Sequence, residues 1–247
     1  MIIYKTSEEL KTLQTAGKKL KAILPSVRSF VKPGVTTLEI DNYIEKLIIQ
    51  AGGYPAFKRV AGYNWSSCLP VNEQLVHTPP SSRKINPLDL ITIDLGFEYK
   101  GLCVDYAESF IVGKPNKNIK KFLNTGYTAL EEGVKVLQQT KDFYQYAKTV
   151  YCKITANGYC VIKDLTGHGV GRKLHEDPYI FNFPDESLKQ IKVKQGLVVA
   201  VEIIYAESTE KYVYESDGWS LKTADNSLGA CFEHTLAFVN NNFKVLV

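Results

Sequence analysis

The sequence of 247 residues predicts an α+β fold in which two similar halves share one core. The predicted elements run helix, helix, sheet and then repeat that order, without the strict alternation of strand and helix that a doubly wound sheet shows. A weak internal repeat accompanies this order, because IIQAGGYPAF around Tyr54 resembles KITANGYCVI around Tyr159. We therefore expect a single domain over residues 1–247, with halves of about 1–115 and 116–247.

Start and stop signals place the helices and sheets along the chain. The capping boxes in TSEE and TTLE begin one helix over about 7–30 and another that ends at Gly52. Residues from about 64 to 112 have a strand-like pattern with several turn signals. Two further helices are expected over about 118–138 and 142–157, and strands dominate after them.

The composition is typical of a globular chain and argues against several functional classes. With 45% hydrophobic and 23% charged residues, neither disorder nor a membrane span is expected. The first residues lack the basic head and apolar run of a signal peptide, so a cytoplasmic location is predicted. The net charge of +4 is spread along the chain without aromatic interleaving, so no sequence-specific nucleic-acid binding is expected. The five cysteines form no C-x-x-C pair and are predicted to be reduced thiols.

Two aspartates lie in a predicted hairpin, LITIDLGFEYKGLCVDYAESF. If Tyr99 and Lys100 form its loop, Asp94 lies directly opposite Asp105. Like charges at opposed positions destabilise a sheet, so a cation is expected between them. Two solvated acids on an exposed face are the alternative, but the largely apolar strands favour burial and a metal pair.

Three further residues extend this pattern in the second half. Glu202 and Glu233 lie in apolar strands, where an unpaired carboxylate costs several kcal/mol, and His168 is flanked by glycines. A lysine or arginine could neutralise any one acid, but four such acids with one histidine favour two divalent ions. Asp105 and Glu233 suit the bridging positions, with terminal ligands at Asp94, Glu202 and His168. Four oxygen donors and one imidazole favour Mn(II), Fe(II) or Co(II) at least as much as zinc.

Several motifs resemble those of the type I methionine aminopeptidases over nearly the whole chain. They are KPGVTTLEID, TIDLGFEYKGLCVD, GHGVGRKLHEDP, the apolar strand before Glu202, and ESDGWSLKTADNSLGACFEHT. The resemblance implies the pita-bread fold, an antiparallel curved sheet flanked by two pairs of helices with internal pseudo-two-fold symmetry. It also implies the same five metal ligands, and removal of the initiator methionine when the second residue is small.

The resemblance also implies roles for three residues that could bind or act on a substrate. His175 is similar to a histidine that contacts the peptide and stabilises the tetrahedral intermediate, and His77 to one near the substrate's amino end. Glu202 is expected to relay protons. The positions that match the family's methionine pocket, each of which could equally be plain core, are Phe57, Val60, Tyr63, Cys68, Leu174 and Trp219.

The sequence also departs from the family pattern, which leaves other functions open. This chain has HTPP where the family has His-Gly-Ile-Pro, and Cys103-Val104 where His-Gly is common. It has Ile203 where proline is usual and Cys231 where glutamine is common, but no metal ligand is lost. One alternative is a pita-bread peptidase that cleaves before proline, and another is a non-catalytic binding member of the fold. The expected partners are nascent polypeptide N-termini and, transiently, the ribosome, and the expected state is a monomer.

Overall fold

The computed structural model describes all 247 residues and contains four α-helices in two pairs. The helices are α1 (Ser7–Phe30), α2 (Thr37–Gln50), α3 (Lys117–Thr140) and α4 (Phe143–Ala156). The twelve strands are β1 (Tyr54–Pro55), β2 (Gln74–Val76), β3 (Leu90–Tyr99), β4 (Leu102–Ile111), β5 (Cys160–Val161), β6 (Gly167–Gly169), β7 (Glu176–Ile180), β8 (Val198–Ala206), β9 (Tyr212–Tyr214), β10 (Leu221–Thr223), β11 (Gly229–Val239) and β12 (Asn242–Val245). No helix is both long and apolar enough to cross a membrane.

The predicted helix signals are confirmed. In α1, the Thr6 hydroxyl accepts from the backbone N–H of Glu9, and the Glu9 carboxylate accepts from that of Thr6. The second capping box has the same reciprocal bonds at the start of α2. Each helix buries one apolar stripe, which in α1 includes Leu10, Leu13 and Leu20. One large core lies between the first helix pair and β3–β4, and a second between the other pair and β8–β11.

The strand-like pattern over residues 64–112 forms regular strands only in part. Only β2 precedes β3 in this range, and the remaining residues before Leu90 are irregular. The backbone N–H groups of Ser66 and Ser67 donate to the Asp41 carboxylate instead of to a neighbouring strand. A side chain therefore satisfies backbone groups that a sheet would otherwise pair.

The register of the β3–β4 hairpin also differs from the prediction. The loop is Lys100-Gly101, with φ of 51° and 77°, so Asp94 lies opposite Ala107 and Asp105 lies opposite Gly96. Two consecutive positive φ angles are characteristic of a two-residue type I′ turn, in which glycine is favoured at the second position. The aspartates are diagonal neighbours, because the cross-strand partner of each lies two positions from the predicted one. Side chains alternate between faces at every residue, so a shift of two positions leaves both aspartates on the same face of the hairpin.

The strands form two sheets that meet at the centre and a small third sheet at the side. The central sheets have strand orders β1-β3-β4 and β12-β11-β8-β6-β7, with β5 paired to β8, and the third sheet is β2-β10-β9. All pairings are antiparallel. The repeated sequence segments around Tyr54 and Tyr159 both lead from a helix into a short strand, β1 and β5, at the edge of a hairpin or strand pair.

Two hydroxyl groups join the central sheets along β4 and β11. The Thr235 hydroxyl donates to the carbonyl of Asp105 and accepts from its N–H, at 2.8 Å in both cases. The Ser109 hydroxyl bonds both backbone groups of Cys231 in the same way, at 2.9 and 2.8 Å. This reciprocal arrangement expresses the pseudo-two-fold symmetry of the fold, and it brings the acids of the two halves together.

Candidate metal centre and substrate cleft

The five predicted ligands come from five different strands that converge at the seam between the central sheets. Asp94 and Asp105 come from the hairpin, and Glu202 lies directly opposite Glu233 in the β8–β11 pair. The directly opposed pair of acids therefore exists, but in the second half of the chain. Ligand atoms of Asp105, His168 and Glu233 lie within 4.8 Å of one another.

No lysine or arginine nitrogen lies within 4.0 Å of these four carboxylates, whose only ion-pair partner is His168. Burial is the main reason why the pKa of Asp105 is raised to about 7 and that of Glu202 to about 8. Burial, with repulsion between the acids, also raises the pKa values of Asp94 and Glu233 well above their usual range. The cluster therefore holds either negative charge or displaceable protons that no lysine or arginine neutralises.

His168 presents a lone pair to these acids. Its Nδ1 lies 2.9 Å from the carbonyl oxygen of Gly169, so this nitrogen carries the proton and donates. Its Nε2 lies 3.8 Å from a Glu202 oxygen and 4.0 Å from an Asp105 oxygen. Burial lowers the pKa of His168 to about 4, so the ring is neutral. Its Nε2 therefore carries a lone pair and lies among carboxylate oxygens, which are also hydrogen-bond acceptors.

The glycines beside His168 allow the neighbouring strands to pack closely against it. Neither Gly167 nor Gly169 has a positive φ. A Cβ atom at Gly167 would lie 2.5 Å from the carbonyl oxygen of Ala200, and one at Gly169 would lie 2.1 Å from that of Asp177. Side chains at these positions would push β6 away from its neighbours and displace the imidazole.

The donor set fits a divalent metal centre. Two buried carboxylates, Asp105 and Glu233, and two half-buried ones, Asp94 and Glu202, lie beside the His168 imidazole. Oε1 of Glu233 is buried without any hydrogen-bond partner. Such an orphaned oxygen is costly unless a ligand or ion satisfies it. Asp94, Asp105, His168, Glu202 and Glu233 are the residues that could hold the metal.

The same residues form the floor of a cavity of about 160 Å³. An apolar cavity of about 150 Å³ can hold benzene, so a small side chain has room here. The cavity brings together all thirteen residues that the sequence analysis singled out, and it adds Val76. Its lining is Phe57, Val60, Tyr63, Cys68, Val76, His77, Asp94, Asp105, His168, Leu174, His175, Glu202, Trp219 and Glu233. Val76 was missed because an apolar residue in a buried strand carries no sequence signal for a site.

An aromatic cluster forms one wall of the cavity. The Tyr63 ring packs edge-on against Phe57, Trp65 and Trp219, with centroid distances of 6.3, 5.3 and 5.2 Å. Its hydroxyl donates to the carbonyl of Ser67 and lies 3.1 Å from the Cys68 sulfur. Apolar rings and a polarisable sulfur together make a surface that suits a thioether side chain.

Asp41 anchors this wall from α2. Its Oδ1 accepts from the backbone N–H groups of Ser66 and Ser67 and from the Ser67 hydroxyl, at 2.9, 2.9 and 2.7 Å. Because one oxygen accepts all three bonds, Asp41→Asn should retain them, with KM within about threefold of wild type, whereas Asp41→Ala should lose about 1–3 kcal/mol of stability. Urea unfolding and steady-state kinetics of both variants test this, and equal losses in both would contradict it.

The other two cavity histidines face the acids across the cleft. The rings of His168 and His175 are 4.5 Å apart in an edge-to-face arrangement. Burial lowers the pKa values of both His77 and His175, which keeps both rings neutral at pH 7. His77 has a φ of 56°, in the left-handed region that non-glycine residues seldom occupy. Such backbone strain concentrates at functional sites, and no sequence pattern predicted it here.

The fold and this donor set define a metallopeptidase, and comparison with known proteins agrees. Residues 11–239 match the model of metallopeptidase family M24, and the chain belongs to that family. The methionine aminopeptidase of Clostridium perfringens is 32% identical over 100% of this chain and 98% of its own length. Methionine aminopeptidase 1 of Bacillus subtilis is also 32% identical, over 100% and 99%. The predicted resemblance is therefore confirmed.

Solved structures confirm the predicted fold. A crystal structure of methionine aminopeptidase from Thermotoga maritima is similar with a TM-score of 0.94 and 32% identity, covering 100% of this chain and 99% of that one. The prolidase from Pyrococcus furiosus has a TM-score of 0.76 at 21% identity, and the match covers 99% of this chain and 65% of that one. The second match shows the shared fold alone.

Proposed function

We propose that this chain is a metal-dependent aminopeptidase that hydrolyses methionine from polypeptide N-termini when the second residue is small. The observation that carries the proposal is one cavity whose floor holds five metal-ligating side chains and whose walls are aromatic and apolar. The full-length relatives named methionine aminopeptidase support the same activity. A mixed set of oxygen and nitrogen donors supports two divalent ions, of which Mn(II), Fe(II) and Co(II) suit it at least as well as zinc.

The residues that would hold the metal are Asp94, Asp105, His168, Glu202 and Glu233. When bound, a divalent pair supplies an activated water and Lewis-acid polarisation of the scissile carbonyl. The five side chains hold this centre rigidly because each comes from a strand of the central sheets.

The remaining cavity residues bind the substrate and move protons. The wall of Phe57, Tyr63, Cys68 and Trp219, with Val60 and Leu174, surrounds the methionine side chain. His77 lies near the amino end of the substrate. The neutral His175 ring donates to the oxygen of the tetrahedral intermediate, a contact worth about 10²–10³ in kcat for comparable donors. Glu202 takes a proton from the attacking water and passes it to the leaving amine.

The cellular setting follows from this activity. Initiator methionine is present on nascent polypeptides, so the substrates are their N-termini, and we propose action in the cytoplasm with transient association at the ribosome. A single chain carries every residue assigned to the site, which supports a functional monomer of one domain.

Reconstitution with defined metals tests the proposal. The protein is stripped of metal and restored with Mn(II), Fe(II) or Co(II), and free methionine is measured from the peptide Met-Ala-Ser. Ala-Pro-Ser tests cleavage before proline, and Met-Leu-Ser tests the requirement for a small second residue. We expect methionine release from Met-Ala-Ser alone, dependent on added metal.

Each of the other outcomes would indicate a different function or specificity. Cleavage of only Ala-Pro-Ser would assign the chain to the peptidases that cleave before proline. Metal binding with no hydrolysis of any peptide would favour a non-catalytic binding protein. Equal release from Met-Ala-Ser and Met-Leu-Ser would keep the aminopeptidase but remove the small-residue requirement.

A further inference from the structure

A buried ion pair lies next to the cavity but outside its lining. The Lys5 ammonium donates to Oε2 of Glu176 at 2.5 Å, and each side chain is only 1% exposed. Among the ion pairs between lysine or arginine and a carboxylate, it is the one fully excluded from water, whereas the others are partly exposed. A buried ion pair contributes little net stability, so its effect on the structure depends on the groups that it positions.

The surrounding backbone is built to admit the Lys5 side chain. Gly171 has a φ of 145°, and a Cβ atom there would lie 2.2 Å from Cε of Lys5. Gly196 has a φ of 91°, and a Cβ atom there would lie 2.2 Å from the Lys5 carbonyl oxygen. The backbone N–H of Lys5 also donates to the Gly196 carbonyl at 2.7 Å. Two glycines therefore make room for this one lysine.

The other oxygen of Glu176 closes the turn that carries His175. Its Oε1 accepts from the backbone N–H of Lys173 at 2.9 Å, which spans Leu174 and His175. The same turn is held at its start by the N–H of Gly171, which donates to the Lys173 carbonyl at 2.9 Å. Lys5 thus fixes one oxygen of Glu176 while the second fixes the turn that presents two cavity residues.

We propose that Lys5 and Glu176 are positioning residues that hold the turn of residues 173–176 so that His175 meets the reacting carbonyl. The proposal rests on the proposed function, in which His175 donates to the tetrahedral intermediate. Loss of Lys5 leaves the Glu176 carboxylate buried without its partner, and rotation of the carboxylate away from this position removes the bond to the Lys173 N–H. The effect falls on the transition state, in which His175 donates, more than on methionine binding.

The Lys5→Met variant is the first test. A displacement of about 1 Å in a catalytic group can cost about 10²-fold, so we expect kcat for Met-Ala-Ser to fall by about ten- to a hundredfold. KM should change by less than about threefold, because Leu174 is the only wall residue in this turn and the aromatic wall lies outside it. Lys153→Met is the matched control, since it removes a half-buried lysine paired with Glu132 between α3 and α4, and it should keep wild-type kinetics.

Two double variants separate positioning from stability. Lys5→Met/Glu176→Gln and Lys5→Met/Glu176→Leu both lack the buried charges, so both should fold even if the single variant does not. Only glutamine keeps an acceptor for the Lys173 N–H, and we expect its kcat to exceed that of the leucine variant by about tenfold or more. Equal kcat in the two folded double variants would overturn the proposal.

Hydrogen exchange supplies a readout that does not depend on turnover. The Lys173 amide should exchange faster in Lys5→Met/Glu176→Leu than in the glutamine variant, while amides in α3 stay unchanged. If the wild type releases no methionine, the proposed function fails, and exchange alone then decides whether the pair holds the turn. Unchanged exchange at Lys173 in both double variants would refute the inference even in an active enzyme.

Discussion

Replacement of Glu233 by glutamine is expected to lower kcat/KM for Met-Ala-Ser by about a thousandfold. Glu233 is buried, lies opposite Glu202, and has an oxygen with no hydrogen-bond partner in the protein. An amide of the same shape removes one anionic ligand from the centre. Metal-ion catalysis contributes several kcal/mol, and about 4 kcal/mol corresponds to a thousandfold in rate. The measurement is methionine release at saturating Mn(II), with bound metal determined on the same samples.

The stability of the metal-free variant provides an independent check. Removing one acid relieves repulsion among the four carboxylates, so metal-free Glu233→Gln should be more stable than metal-free wild type at pH 8. Glu210→Gln, which alters an exposed ion pair with Lys163, is the matched control and should change neither quantity. A Glu233→Gln enzyme with wild-type turnover and full metal content would remove Glu233 from the centre.

The features that the sequence predicted well are those with a local physical cause. Capping boxes and apolar spacing specify helices within a few residues, and these helices formed with the expected caps. The acids could be singled out because a carboxylate in an apolar strand is costly wherever that strand lies. Their convergence in one cavity agrees with the site predicted from the sequence, while their individual roles stay predictions for the experiments above.

The features that the sequence did not predict depend on geometry between distant segments. The hairpin register depended on which two residues take positive φ, and Lys100 does so although it is not a glycine. The pairing of Glu202 with Glu233 depended on how β8 aligns with β11. Lys5 near the start of the chain gave no sign of its burial, because a lysine is mostly exposed unless a distant partner such as Glu176 meets it.

The metal-free protein is expected to lose stability as pH rises from about 6.5 to about 8.5, above the range in which the buried histidines change charge. The pKa of Asp105 is raised from 3.8 to about 7 and that of Glu202 from 4.5 to about 8, so the folded chain binds their protons more tightly than the unfolded chain. This tighter proton binding contributes fully to the free energy of unfolding below about pH 4, and the contribution is lost as pH rises through 7 and 8. One pKa unit corresponds to about 1.4 kcal/mol, and 1 kcal/mol to about 2–4 °C in Tm for a chain of this size.

Metal should reverse this dependence because it competes with the same protons. Each proton displaced by the metal makes its affinity rise about tenfold per pH unit until the acid is ionised. The increase in Tm on adding Mn(II) should therefore be small at pH 5 and large at pH 8, where it offsets the repulsion among the acids. Thermal unfolding with EDTA and with Mn(II) across this range measures the Tm of the metal-free protein and its increase on adding metal. In the double variant Glu202→Gln/Glu233→Gln, both quantities should depend less on pH. A Tm of the metal-free protein that does not fall with pH would show that the four acids are ionised without cost, and a cation other than the proposed metal would then have to neutralise them.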